Sequence, residues 1–315
     1  MNLVFETYIN RSGSTYLANL LSRDSRILVC PEAEILVDLF LRCPEENFSE
    51  KKYRQLQKAI KSDKKLTYWG LHESEIQELR SVQTNFEAFL IVLNAYRQKI
   101  QPAARFIVFK ASVLIYFYEQ IRNIRMPGTT VYFLSIIRDP RAVFYSQYHT
   151  WSEIYREYME RNPVYVVRDW KKFFKSNVKY AENNDFCTIY YEDIIEDTEQ
   201  TVQQVYKTIN LDYVPDIKQN TPEYAGRIPK DQISMHRLIN HPPDANRIDR
   251  WKHNLNPVHI RIVERIMKKS GSWYSVDLLN PPVSSIKRFL IHTWYFTAYV
   301  IKKIYVKIKV LVGRY

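Results

Sequence analysis

Apolar positions along the chain alternate between a strand period and a helix period. Residues 3–9, LVFETYI, form a short apolar run of strand type, and from Thr15 to Arg23 the residues Tyr16, Leu17, Leu20 and Leu21 fall at helical spacing. The opening unit predicted is therefore strand, short polar loop, helix. Helices are predicted over 33–43, 51–61 and, most clearly, 84–99. The runs RFIVFK (105–110) and TVYFLSII (130–137) predict buried strands, each followed by a helix. A long basic and aromatic helix around 161–183 comes before a further strand, 186–191, and another helix, 197–209. Residues 215–250 are rich in Pro, Asn and His with weak periodicity and are expected to form a long loop. Strands alternating with helices predict an α/β fold whose parallel sheet is flanked by helices. Such sheets bind ligands at the carboxyl ends of their strands.

Composition narrows the picture only in part. A chain of 315 residues with 46% hydrophobic residues can bury a sizeable core, so one α/β domain is expected over 1–280 with a tail over 281–315. Lys and Arg number 46 against 34 Asp and Glu, a net charge of +12, which favours anionic partners without choosing among nucleotide, glycan, nucleic acid and membrane. The three cysteines, Cys30, Cys43 and Cys187, form no CxxC pair, so neither a disulfide framework nor a zinc site is indicated. The N-terminus reads as a strand rather than a leader, which together with the cysteines predicts a cytoplasmic protein.

Candidate chemistry begins at the loop after the first strand, Arg11-Ser12-Gly13-Ser14-Thr15. Where a strand ends in a short glycine-containing turn and a helix begins, backbone N–H groups and the positive end of the helix dipole converge on one spot. Gly13 permits a positive φ, Ser14 and Thr15 add hydroxyl donors, and Arg11 adds a planar fork of N–H donors. The pattern lacks the second glycine and the lysine of an ATP-hydrolysing P-loop. A plain helix cap by Ser12 or Ser14 is an equally open reading of these five residues. Further on, the strand TVYFLSII runs into Arg138-Asp139-Pro140, with Asp139 and Pro140 suited to open a helix and Ser146 about two turns into it. Arg138 and Ser146 so placed could grip a second phosphate.

Together these stretches resemble the sulfotransferases that use 3′-phosphoadenosine 5′-phosphosulfate (PAPS), in particular their Golgi and bacterial branch. Arg11–Thr15 matches that family's [RK]-S-G-[ST]-T loop, and Arg138 with Ser146 matches its arginine at a strand end followed by a serine eight residues later. Tyr191-Glu192-Asp193 at the end of FCTIYY is a third match, and Arg250-Trp251-Lys252-His253-Asn254-Leu255 resembles the late R-W-x-x-x-L segment. The resemblance implies the sulfotransferase fold, a P-loop-NTPase-like parallel sheet, with PAPS as co-substrate and no metal. It implies that Arg11, Ser12, Gly13, Ser14 and Thr15 hold the 5′-phosphosulfate and that Arg138 and Ser146 hold the 3′-phosphate. Tyr16, Tyr191 and Arg250 then contribute to the nucleotide site, Tyr16 beside adenine unless it is core.

Sulfuryl transfer also needs a base for the acceptor hydroxyl. In that branch the base is often a glutamate about twenty residues after the loop, which implies Glu32 here, with Glu34 as the reserve. The cytosolic branch places a histidine shortly after an internal strand, whereas RFIVFKAS has Lys110 and no histidine. Lys110 is a candidate for contact with the sulfuryl group or the acceptor. The implied acceptor is a carbohydrate or glycolipid hydroxyl.

After Asp277 there are no acidic residues, and IKRFLIHTWYFTAYVIKKIYVKIKVLVGRY mixes aromatic and aliphatic residues with Lys and Arg. Its longest uncharged stretch, Phe289 to Ile301, is shorter than the roughly twenty apolar residues needed to span a bilayer. A C-terminal amphipathic helix over 286–315 on an anionic membrane surface is predicted, against packing on the domain or in an oligomer. Two other functions stay open: an ATP-dependent phosphotransferase, and a non-catalytic polyanion- or membrane-binding protein. Nucleic acid is not an expected partner, because no recognised module accompanies the charge.

Overall fold

The computed structural model describes residues 1–124, 126–215, 221, 224–236, 239, 241, 244–268 and 277–311. The chain divides into two compact units. The first comprises 1–8, 12–137 and 176–243, and the second 9–11, 138–175 and 244–315.

The first unit is built on a five-stranded parallel sheet. Its strands are β1 (Asn2–Tyr8), β2 (Ile27–Val29), β3 (Phe106–Lys110), β4 (Thr130–Ile137) and, after a separate two-stranded ribbon made by β5 (Trp151–Ser152) and β6 (Glu157–Tyr158), β7 (Phe186–Tyr190). The order β2-β3-β1-β4-β7 puts β1 in the middle, and β1, β3 and β4 are buried almost throughout, as expected of strands covered on both faces. Period two divides β1 between the faces. Val4 and Tyr8 join the cluster with Leu17 and Ala18 of α1 (Ser14–Leu21), while Phe5 stacks with Phe89 and Phe133 on the other side. Glu6 lies between Val4 and Tyr8 in sequence, so a carboxylate is placed on the face covered by α1. In β3, Phe106 and Val108 join the same cluster, which puts Lys110 on that face too.

Helix starts follow local capping chemistry. Ser49 accepts the Lys52 amide hydrogen at the start of α3 (Glu50–Ser62), and Thr84 with Glu87 forms a capping box on α4 (Asn85–Ile100). Asp197 caps α9 (Thr198–Thr208), which follows directly on α8 (Tyr191–Glu196). Several features depart from the sequence expectation. The helix expected over 33–43 is a single turn, α2 (Glu34–Leu36), running into a π turn at Val37–Leu41, and the helix expected after β3 is a 3-10 turn at Leu114–Phe117 followed by the short α5 (Tyr118–Arg122). The run Ile27–Val29 is a strand, β2, pairing with β3, although three residues are too few to show a period. The expected loop over 215–250 contains 3-10 turns at Tyr224–Arg227 and Lys230–His236, and it ends in α10 (Asn246–Asn254). Tyr224 in it is buried, and parts of the segment lie outside the described residues.

In the second unit, Asp139 and Pro140 open α6 (Pro140–His149) as expected, with the Asp139 carboxylate accepting the Arg141 amide hydrogen at 2.7 Å. Arg141 is buried and fully engaged. Its guanidinium donates to Asp139 at 2.6 Å and to Glu264 of α11 (Pro257–Lys268) at 3.0 Å, and lies 4.1 Å from the centre of the Trp251 ring. Glu264 also accepts the amide hydrogens of Leu279 and Asn280. Charges this deep are tolerated only when every partner is present. The final helix, α12 (Ser285–Leu311), packs Ile291, Tyr295 and Tyr299 on Val164, Val258 and Ile262. Residues 312–315 of the expected tail lie outside the described residues, and no helix among those described is long and apolar enough to cross a membrane.

Replacing Arg141 by Ala leaves Asp139 and Glu264 buried without their counter-charge and should cost about 3–5 kcal/mol in urea unfolding followed by tryptophan fluorescence. A loss below about 1 kcal/mol would contradict the dependence of this unit on that network.

Candidate active site

In the first unit the loop after β1 leads into α1 through Gly13, whose φ of 95° lies in the left-handed region and whose side of the helix start carries no side-chain cap. The Gly13 carbonyl accepts the amide hydrogens of Tyr16 and Leu17, at 2.9 and 3.1 Å, so the first amides of the helix are left to face out of it. Neither Ser12 nor Ser14 caps the helix. The Ser12 hydroxyl is instead buried with no hydrogen-bond partner among the described residues. The ring of Tyr191 lies directly against Gly13, and a Cβ added there would come within 2.3 Å of it. An uncapped helix start, a glycine at positive φ and an orphaned hydroxyl suit a phosphate group, whose oxygens could take up all three. Tyr16 faces the core edge, half-buried, packed with the same cluster as Leu17.

Beside this loop stands a cluster of charges. Lys110, fully buried at the end of β3, lies 3.5 Å from the Thr15 hydroxyl and 3.6 Å from the Glu32 carboxylate. Its ammonium is 5.2 Å from the ring centres of both Tyr8 and Tyr224, a setting that favours a cation. Glu32 accepts hydrogen bonds from the Tyr8 hydroxyl and from Lys65 at 2.9 Å, and Lys65 also bonds Glu34 at 2.8 Å. Burial works against the Glu32 carboxylate, but Lys65, Lys110 and the Tyr8 hydrogen bond outweigh it and hold Glu32 well below the usual carboxylate range. Burial and the neighbouring Glu32 charge push Glu34 the other way. Glu6 has no hydrogen-bond partner for either oxygen among the described residues. Burial pushes it up to about 7, with Lys110 pulling it down and Glu32 adding to the rise.

In the second unit the Arg11 Nε donates to the Ser146 hydroxyl at 3.1 Å, and the Arg138 guanidinium donates to the Arg11 carbonyl at 3.0 Å. The latter bond holds a strained residue, since Arg11 has a φ of 75°. Trp170 of α7 (Pro163–Tyr180) donates to the Arg138 carbonyl at 2.8 Å, and Arg138 also reaches the Arg247 carbonyl at 3.3 Å. The pair of residues expected at a second phosphate, Arg138 and Ser146, is thus joined through Arg11. Arg250 is exposed on α10, whereas its neighbour Trp251 is buried against Arg141.

The predicted residues therefore gather in two groups: Ser12 to Thr15, Glu32, Lys110 and Tyr191 in the first unit, and Arg11, Arg138 and Ser146 in the second. Sequence reasoning missed Lys65, Tyr8, Tyr224 and Glu6. Lys65 sits among other lysines in KSDKKL and carries no pattern that sets it apart, but Glu6 was visible as a lone carboxylate within an apolar strand. Among the described residues no group of three His, Cys, Asp or Glu side chains is placed to hold a metal ion.

Comparison with known proteins bears on the whole arrangement. The model of the sulfotransferase family matches residues 7–216. Among solved structures, a sulfotransferase domain from the curacin biosynthetic pathway aligns with a TM-score of 0.57 at 20% identity, over 85% of this chain and 96% of that one. A sulfotransferase domain from the Synechococcus PCC 7002 olefin synthase aligns with a TM-score of 0.52 at 15% identity, over 88% and 96%. These two share the fold. No curated protein matches the chain. With the family match running from the end of β1 through α9, the chain belongs to the sulfotransferase family.

Proposed function

We propose that the protein transfers the sulfuryl group of PAPS to a hydroxyl of a carbohydrate acceptor, a glycan or a glycolipid, in the cytoplasm. The observation that carries this reading is the start of α1, where an uncapped helix, Gly13 at positive φ and the Ser12 hydroxyl, unpartnered among the described residues, adjoin the pair of buried Lys110 and half-buried Glu32. The carbohydrate acceptor rests on the motif resemblance. The cytoplasmic assignment rests on three free cysteines, two of them buried.

PAPS supplies an activated sulfur whose bond to the 5′-phosphate oxygen breaks, with its electron pair, as the acceptor oxygen bonds to sulfur. The chain's residues position and neutralise. Ser12, Gly13, Ser14 and Thr15 bind the 5′-phosphate, Arg11 offsets the charge that develops on it, and Arg138 with Ser146 binds the 3′-phosphate. Tyr16, Tyr191 and Arg250 complete the nucleotide site. Glu32 takes the acceptor proton. Because Lys65 and Lys110 keep Glu32 ionised, it accepts that proton late, once the acceptor oxygen has begun to bond to sulfur. Lys110, between Thr15 and Glu32, ties the phosphate loop to the base.

The reading is tested by following release of adenosine 3′,5′-bisphosphate (PAP) from PAPS with a panel of glycan, phenol and steroid hydroxyls; turnover confined to the glycans is expected, and turnover with the others alone would displace the acceptor assignment. Glu32→Gln should lower kcat by about a hundredfold or more while PAP binding stays unchanged, and undiminished turnover would remove Glu32 from the base role. Protonation of a base stops turnover as pH falls through its pKa. With Glu32 depressed, kcat should hold from neutral pH down to at least about pH 5, whereas an acid limb near pH 7 would point to Glu6 instead. Gly13→Ala forces a Cβ to within 2.3 Å of the Tyr191 ring at a φ of 95°. It should weaken PAP binding in calorimetry by about tenfold or more, and unchanged affinity would mean that the loop does not hold the nucleotide.

A further inference from the structure

The end of the chain presents a surface that sulfuryl transfer does not use. In α12 one face is occupied: Tyr295 donates or accepts a hydrogen bond with His259 at 3.0 Å, its carbonyl accepts from Asn162 at 2.8 Å, and Lys302 pairs with Glu160 at 2.7 Å. These contacts, with Ile291 and Tyr299, pack the middle of the helix, from Ile291 to Lys302, within the second unit.

Among the described residues the opposite face has no such cover. Ile286, Leu290, Trp294, Ile301, Ile304 and Ile308 recur at intervals of three, four and seven, which puts them on one side of the helix. They are exposed, Ile286 at 73%, Leu290 at 61% and Trp294 at 74%. From Ile286 to Ile308 the stripe runs about 33 Å at roughly 1.5 Å per residue. Only threonines interrupt it, and Lys287 and Lys307, both exposed, stand along its edges. No acidic residue occurs anywhere from 278 to 315.

We propose that this face of α12 lies in the headgroup region of an anionic lipid bilayer. Charge decides among occupants. A second copy of the chain laid on the same face would bring two sets of lysines together, with no carboxylate in either segment to offset them. An anionic lipid surface meets the same lysines favourably, at a distance where salt screens only partly. The shape agrees as well. A helix packed on one side offers on the other a line of aliphatic residues with a tryptophan among them, which matches a plane whose interior is apolar and whose boundary favours Trp. The helix lies on the surface rather than spanning it, because it is too polar on its inner face to cross.

The test uses the full chain in flotation with vesicles of mixed phosphatidylglycerol and phosphatidylcholine, and with phosphatidylcholine alone. The protein should float with the anionic vesicles, less so in high salt, and remain behind with the neutral ones. Leu290→Glu and Ile301→Glu should each lower the partition coefficient by about tenfold or more. Both variants should keep wild-type PAP affinity, which shows that they fold. Light scattering without lipid supplies the other arm. A monomer is expected, and a dimer that Leu290→Glu dissociates would assign the face to a second copy. Failure of the wild type to float, or flotation unaffected by either variant, would overturn the proposal whatever the outcome for the nucleotide site.

Discussion

Glu6 and Lys110 are neighbours because β1 and β3 run parallel in a register that sets them side by side, in the middle of a sheet covered by α1. Much of the first unit's chemistry depends on that pairing. A buried ammonium needs compensation, and the fold supplies it with Glu32 at the end of β2, the rings of Tyr8 and Tyr224, and the Thr15 hydroxyl on the first turn of α1. Each of these groups comes from a different strand end or connection. The parallel order of the strands is what delivers them to one place, as it does at the carboxyl edge of open α/β sheets generally.

The cluster is uneven in a way that bears on catalysis. Glu32 is tied down by two lysines and a tyrosine, while Glu34 and Glu6 are pushed towards the neutral form. Carboxylates so close raise one another's pKa, and Glu32, which faces both Lys65 and Lys110, is the one held low. Lys65 is therefore a positioning residue for the proposed base: it reaches Glu32 and Glu34 together and holds the two carboxylates side by side. In the second unit, the strained Arg11 backbone is held by Arg138, and Arg138 is held in turn through its carbonyl by Trp170. Two arginines that would otherwise repel are thus kept in place by bonds to neutral groups, backbone carbonyls for Arg138 and the Ser146 hydroxyl for Arg11.

Much of this was legible in the chain. The strands β1, β3, β4 and β7 were visible as apolar runs, the start of α6 in Asp139-Pro140, and the glycine-containing turn between β1 and α1 in five consecutive residues. Such features are local: period, cap and turn are written in neighbouring residues. What was not legible depends on pairing over distance. Three-residue β2 exists because β3 offers it an edge. Lys65 acquires meaning only when the 3-10 turn beginning at Leu66 carries it to Glu32, 33 residues earlier in sequence. Tyr224 lay in a segment whose composition suggested loop, yet its ring is buried beside Lys110. For the tail, sequence gave amphipathicity, and the structure adds which face is taken by the second unit.

The function proposed requires that the protein bind a nucleotide carrying a 3′-phosphate. Calorimetry of PAP against ADP in the absence of divalent metal, for the wild type and for Arg138→Ala, addresses it most directly. The account predicts that PAP binds about tenfold or more tightly than ADP, and that Arg138→Ala abolishes the difference. Equal affinity for the two nucleotides in the wild type, or binding that requires magnesium, would contradict it.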